Sequence, residues 1–344
     1  MPTISVEQNL IAKLLAQHKL DHDVEQIADE LPLLGTDIDR CDAQTLDIEI
    51  FPNRPDLLSG ETLTRAIRNF VHRQPAKPSI TTTEGKITLN VEPDLAGIRP
   101  VILGAVVRNV DYTSIGVSAD EFIKSLMDHQ ETLHFALGRG RKRASIGVHD
   151  LAKLAPPFTV KAVSGDTKFT PLAATEPMSI KEIMAEHPKG IEYAHLLSEF
   201  DRYPIILDAE NNVLSFPPII NGDHTTVTKE TKDFFIDVTG WDFRACESSL
   251  MLIALQLQEY GGIIETVEVT NCFGATNVYP NGSAVEHKLT IAAIQGLLGG
   301  KLTEEAISKA INRMGGKLVA CDDELITLET VSYTHLTLPT RRFV

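Results

Sequence analysis

The chain has 344 residues, 43% of them hydrophobic, and a formal net charge of −15 from 32 basic and 47 acidic side chains. That length holds two or three domains with sizeable cores, and the acidic balance excludes a protein that coats nucleic acid through a broad basic surface. The cysteines Cys41, Cys246, Cys272 and Cys321 form no C-x-x-C pair, which predicts reduced thiols, no disulfide framework and no zinc site. No charged-then-apolar leader opens the sequence, and no apolar run approaches the ~20 residues of a membrane span, so the expected location is the cytoplasm.

Taken in chain order, Val6, Leu10, Ile11, Leu14 and Leu15 recur at helical spacing, and Val24, Ile27, Leu31 and Leu34 repeat the pattern up to Gly35. Two short helices joined by a turn are predicted. Leu46, Ile48 and Ile50 alternate with Asp47 and Glu49, a half-buried strand running into the turn Asn53-Arg54-Pro55-Asp56. A third helix runs from near Ser59 to before Arg73, and Pro75 and Pro78 mark a linker, so 1–80 reads as a small helix-plus-strand domain.

Strands over 87–91 and 101–110 follow. Ser118 with Glu121, and Ser179 with Glu182, are capping boxes; the first opens a helix with Phe122, Ile123, Leu126 and Met127 inward. Strands over 204–207 and 212–215 flank a hairpin turn, 234–238 is another strand, and a helix over 245–260 stops at Gly261-Gly262. The stretch 85–278 therefore reads as one central α+β domain. Beyond it come a strand over 288–291, a helix over 292–298, a helix capped by Thr303 that ends at Gly315-Gly316, and a strand pair around Asp322-Asp323. Helix, turn, helix and hairpin predict a winged-helix-like domain over 285–330, for which nucleic-acid contact and a spacer role both stand.

The chemistry gathers in two segments. Leu214-Ser215-Phe216-Pro217-Pro218-Ile219-Ile220-Asn221-Gly222-Asp223 sets a hydroxyl and an amide at either end of an apolar run stiffened by two prolines. Asp233-Phe234-Phe235-Ile236-Asp237-Val238-Thr239-Gly240 puts Phe235, Asp237 and Thr239 on one strand face. By themselves these residues describe either a ligand pocket or a rigid loop beside a strand. The dense basic cluster Arg139-Gly140-Arg141-Lys142-Arg143 follows a helix and reads as an exposed loop, either a solvated charge run or a local RNA contact. His149-Asp150 and Asp223-His224 lack a second pair at ligand spacing, so no metal is expected. Ser215 has no G-x-S-x-G elbow and is not assigned as a nucleophile.

These segments, together with Phe51-Pro52-Asn53-Arg54-Pro55-Asp56-Leu57-Leu58-Ser59 and Arg141-Lys142-Arg143-Ala144-Ser145-Ile146-Gly147-Val148-His149-Asp150, resemble in the same order the beta subunit of phenylalanine-tRNA ligase in its archaeal and eukaryotic form. The resemblance reaches to about residue 330. It implies a multidomain α+β chain that pairs with an alpha subunit as α2β2 and meets tRNA(Phe). ATP and magnesium serve the complete enzyme, and no cofactor is expected on this chain. It further implies that the central domain hydrolyses tyrosine wrongly attached to that tRNA. Asp237 would accept the phenol proton, Thr239 would shape the ester end or hold the attacking water, and Ser215 would orient water or the terminal ribose. Leu207, Phe216, Pro217 and Pro218 would line the aromatic slot, and Asn221 would bond the substrate's backbone-like groups. Arg139, Arg141, Lys142 and Arg143 would steer the acceptor end of the tRNA. A purely architectural subunit with an inert pocket and a free-standing editing factor are the rival readings. Residues 331–344 depart from the family pattern and are expected to be a non-native tail on a truncated chain.

Overall fold

In the computed structural model, which describes residues 2–300, 303–322 and 324–333, the chain opens on strand β1 (Thr3–Glu7) rather than on a helix. Ile4 and Val6 alternate with polar residues, and β1 pairs antiparallel with β3 (Thr45–Ile50), so Val6 serves a sheet and not the helical stripe expected of it. Helix α1 (Gln8–Ala16) keeps Ile11, Leu14 and Leu15 as its buried face. Helix α2 (Val24–Glu30) is capped by Asp23 and runs through a 3-10 turn to Gly35, whose φ of 89° closes it. Strand β2 (Thr36–Cys41), unforeseen in the sequence, completes a three-stranded sheet in the order β1-β3-β2. After the turn, in which Arg54 and Asp56 form a buried two-point ion pair at 2.9 and 2.7 Å, helix α3 (Gly60–Phe70) starts on the Ser59 cap.

The described residues divide into two compact units, one of those up to 81 together with those from 282 on, the other of residues 82–281. The second unit is built on one large sheet. Its elements in order are β4 (Thr88–Val91), β5 (Val101–Arg108), α4 (Ala119–Ala136), β6 (Ala144–Asp150) and β7 (Phe158–Ser164). A small pair, β8 (Lys168–Phe169) and β9 (Met178–Ser179), then leads to α5 (Ile180–Glu186) and α6 (Pro188–Tyr193). The unit closes with β10 (Arg202–Leu207), β11 (Val213–Phe216), β12 (Ile220–Asn221), β13 (Phe234–Gly240), α7 (Phe243–Gln258), β14 (Ile263–Thr270) and β15 (Thr276–Tyr279). Both expected capping boxes are formed, at Ser118–Glu121 and Ser179–Glu182.

The strand order β12-β11-β10-β7-β4-β14-β5-β13-β6, with β15 on β14, leaves β12 and β6 at opposite ends. Pairing is antiparallel except where β4 lies parallel to β7 and β14. Phe235, Phe158, Val160, Ile206, Leu214, Val267 and Val269 form the central core, with the Phe158 and Phe235 rings 4.3 Å apart. A second cluster of Ile180, Ile183, Ile205, Leu207, Phe216 and Ile219 seals α5 against the β10–β12 end. Strand β6 was not foreseen, because all seven of its residues are buried and no alternation marks it.

The first unit is completed by β16 (Val285–Thr290), α8 (Ile291–Leu298), α9 (Glu304–Arg313), β17 (Lys317–Cys321) and β18 (Leu325–Thr330), with sheet order β16-β18-β17. Arg313 of α9 reaches Glu30 at 2.6 Å and stacks its guanidinium over Phe70 at 4.1 Å, tying the last elements to the first. Of the expected non-native tail, Val331 and Tyr333 are buried, and 334–344 lie outside the described residues. Among the described residues no helix is long and apolar enough to cross a membrane.

Phe235 supplies one side of the aromatic pair at the centre of the second unit and is fully buried. Phe235→Ala is expected to lower the unfolding free energy by about 3–5 kcal/mol, read from the urea midpoint; a loss below about 1 kcal/mol would contradict the packing.

Candidate functional site

The large sheet curls until its two ends face each other across a cavity of about 370 Å³. One wall is the β11–β12 end, with Ser215, Phe216, Pro217, Pro218 and Asn221. The facing wall is β6 and β13, with Ser145, Gly147 and Asp237, and α4 adds Ile123 and Met127. Helix α4 also closes the free edge of β6. Gln130 donates to the Ile146 carbonyl at 2.7 Å, and the Ile146 N–H donates to His134 Nε2 at 2.8 Å. Two side chains one helical turn apart thus satisfy both backbone groups of one edge residue.

Asp237 is 2% exposed, and its Oδ2 is 2.7 Å from Nε2 of the wholly buried His149. The other imidazole nitrogen is 2.8 Å from the Thr225 hydroxyl, which itself donates to the Gly222 carbonyl at 3.0 Å. A carboxylate accepts only, so His149 donates from Nε2. Oδ1 of Asp237 has no protein partner among the described residues and belongs to the cavity wall. Space for the pair comes from glycine. Both cross-strand neighbours of Asp237 are glycines, Gly104 on β5 and Gly147 on β6. A Cβ on Gly147 would lie 2.0 Å from Asp237 Oδ2 and 2.7 Å from His149 Nε2.

Opposite, the Ser215 hydroxyl is buried and has no hydrogen-bond partner among the described residues. Unpaired buried hydroxyls are rare in folded proteins, and this one belongs to a residue that borders the cavity. The exposed area of the wall is mostly apolar, although Glu131, His134, Arg141, His187 and Lys189 also border it. An apolar slot with a few convergent polar groups is the usual make-up of a small-molecule site.

The sequence-derived residues distribute unevenly. Ser215, Phe216, Pro217, Pro218, Asn221, Asp237 and Arg141 border the cavity, whereas Leu207 packs in the core cluster alongside Phe216. Thr239 shares the face of Asp237, as strand periodicity requires, yet it is enclosed by Arg99, whose Nε donates to its hydroxyl at 2.7 Å. Within the basic loop, Arg139 and Lys142 are exposed, and Arg143 pairs with Asp242. Arg141 is 7% exposed and acts as a clamp. It donates to the Pro218 and Ile219 carbonyls at 3.3 and 2.9 Å, meets Glu131 at 2.6 Å and stacks on Tyr193 at 4.3 Å. The His134 imidazole 3.4 Å away, aided by the charge of Arg141, holds the Glu131 carboxyl down at about 2. Burial keeps His134 below its usual range, consistent with a neutral ring that accepts from Ile146. Among the described residues no group of three or more His, Cys, Asp or Glu is placed to hold a metal ion.

Residues 103–256, the sheet and helices around this cavity, match the family model described as B3/4 domain. The phenylalanine-tRNA ligase beta subunit of Methanosarcina acetivorans is 43% identical over 333 residues, covering 97% of this chain and 59% of that protein. Over nearly its whole length the chain is similar to phenylalanine-tRNA ligase beta subunits. The Archaeoglobus fulgidus beta subunit is 38% identical over 91% of the chain and 55% of its own length. The crystal structure of an N-terminal fragment of the Pyrococcus horikoshii beta subunit superposes with a TM-score of 0.88 at 27% identity, covering 98% of this chain and 96% of that one. The chain thus spans somewhat over half the length of the beta subunits it matches.

Sequence reasoning set aside His149 for want of a nearby ligand pair and passed over Arg99, Ser145 and Thr225. The signal that would have found His149 is pairing: Phe235 lies opposite His149 and Asp237 opposite Gly147, so imidazole and carboxylate are diagonal neighbours on one face. Gly147→Ala is expected to part the pair and cost about 3 kcal/mol of stability by chemical denaturation; a stability equal to the parent would contradict the need for a bare position there.

Proposed function

We propose that the chain serves as a beta subunit of phenylalanine-tRNA ligase and that its cavity hydrolyses tyrosine misattached to tRNA(Phe). The observation that carries this reading is a buried carboxylate with one free oxygen, Asp237, in the wall of an otherwise largely apolar slot. An apolar pocket that charges phenylalanine rejects an added hydroxyl by only about a hundredfold, so a second site of opposite preference is needed. Asp237 supplies that preference. The phenol of tyrosine donates to it, whereas a phenylalanyl ring would bury the carboxylate oxygen without a partner, at a cost of about 1–3 kcal/mol or more.

With the ring between Phe216, Pro217 and Pro218, the ester end lies farther along the strand. The orphan Ser215 hydroxyl orients water or the terminal ribose, and Asn221 meets the substrate's amino group. Water attacks the ester carbon, the bond to the ribose oxygen breaks, and that oxygen takes the proton released by the water. The ester is already activated, so no covalent intermediate is needed. Leu207 supports Phe216 from behind, and Thr239 acts through its neighbours.

Arg139 and Lys142 supply exposed positive charge for the acceptor-stem phosphates, the half-exposed Arg143 beside them is paired with Asp242, and Arg141 holds that loop against Pro218. We read β16, α8, α9, β17 and β18 as a winged-helix-like module, a reading supported by their order of strand, two helices and strand pair. An alpha subunit, ATP and magnesium would serve the attachment of phenylalanine in a cytoplasmic α2β2 enzyme.

Asp237→Ala in the complete enzyme is expected to slow tyrosine release from Tyr-tRNA(Phe) by about a hundredfold or more, with phenylalanine attachment unchanged. Undiminished release would leave the chain an architectural subunit with an inert pocket.

A further inference from the structure

Among the described residues, Arg99 is a buried cation without a carboxylate among its hydrogen-bond partners. It is 2% exposed. Its Nε donates to Thr239 Oγ1 at 2.7 Å. Its Nη2 lies 3.0 Å from Ser145 Oγ, 2.7 Å from the Thr239 carbonyl and 3.0 Å from the Arg141 carbonyl. The Ser145 and Thr239 hydroxyls are themselves 3.0 Å apart. Such a cluster organises protons, because a guanidinium can only donate and both hydroxyl oxygens must therefore accept from it.

One hydroxyl proton lies between Ser145 and Thr239, and the other must go elsewhere. Thr239 is wholly buried, is absent from the cavity wall and has Ser145 as the only acceptor within reach of its proton among the described residues. Turning the shared proton the other way would strand the Thr239 O–H in the interior, a cost of about 1–3 kcal/mol. Thr239 therefore donates to Ser145. With Arg99 and Thr239 filling its acceptor positions, Ser145 keeps its own proton for a further acceptor, and Ser145 borders the cavity.

We propose that Ser145 is a catalytic hydrogen-bond donor to the ester carbonyl oxygen, its proton turned toward the substrate by Arg99 and Thr239. The inference rests on the hydrolytic reading of the cavity and names a group that reading lacks. Ser145 is opposite Thr239 and Gly147 is opposite Asp237, so Ser145 lies two residues, about 7 Å, along the strand from the carboxylate row. That separation suits a tyrosyl side chain, with the phenol at Asp237 and the carbonyl at Ser145. As water adds to the carbonyl carbon, the carbonyl oxygen becomes negative. A hydroxyl already polarised by a buried cation is aimed at the charge where it forms. When the intermediate collapses, the ribose oxygen leaves with the proton from water, and Ser145 ends as it began. Thr239 and Arg99 are positioning residues in this scheme.

Ser145→Ala in the complete enzyme is expected to lower kcat for tyrosine release from Tyr-tRNA(Phe) by about a hundredfold with KM little changed, and Ser145→Thr, which keeps the hydroxyl, to recover most of that rate. A structural role alone would not divide kcat from KM or respond to the hydroxyl. Should Ser145→Ala fail to melt cooperatively, Ser145→Cys, with a weaker donor of similar size, is expected to show the same fall in kcat. An unchanged kcat in either variant, or a loss confined to KM, overturns the assignment. Asp237→Ala measured alongside separates the two ideas: if it loses tyrosine release while Ser145→Ala keeps it, only the Ser145 assignment falls; if both keep it, the hydrolytic reading itself falls.

Discussion

The buried contact between Asp237 and His149 is the constraint around which the second unit is arranged. A carboxylate in a largely apolar wall is tolerated only if it is hydrogen-bonded. His149 meets that need from the neighbouring strand and passes the restraint on to Thr225, just beyond β12. The ends of the long sheet are therefore joined through one imidazole. Gly147 has to be bare for this to happen, since any side chain there would occupy the space of the carboxylate oxygen.

Two guanidiniums complete the closure from the sides. Arg141 holds the carbonyls of Pro218 and Ile219, which fixes the proline-bearing wall relative to α4 through Glu131. Arg99 fixes Thr239, Ser145 and the Arg141 carbonyl, which fixes the opposite wall. Buried arginines suit this task because the planar fork satisfies several oxygens at once without needing a counter-charge on each. Both walls are thereby held by hydrogen bonds, and Ser215 Oγ and Asp237 Oδ1 have no hydrogen-bond partner among the described residues.

Much of this was legible in the sequence, and what was not has a common cause. Capping boxes at Ser118 and Ser179 marked their helices because the signal lies within four residues. Period-two alternation put Asp237 and Thr239 on one face, and they are. Strand β6 gave no alternation, being buried throughout, so the strand that carries Ser145, Gly147 and His149 passed unseen. The basic run 139–143 read as a uniform loop, yet Arg141 is buried and Arg139 exposed, a distinction that depends on carbonyls 77 and 78 residues away. The division of labour between Thr239 and Ser145 turns on a third residue, Arg99, from a different part of the chain. Local signals fix elements, whereas the site is made of pairings between them.

The most direct test is a crystal structure of the complete enzyme with a non-hydrolysable amide analogue of tyrosyl-adenosine. The account predicts the phenol oxygen within hydrogen-bond distance of Asp237 and the ring against Phe216 and Pro217. An analogue bound elsewhere on the central unit, or lying in the cavity with its phenol turned away from Asp237, would contradict it.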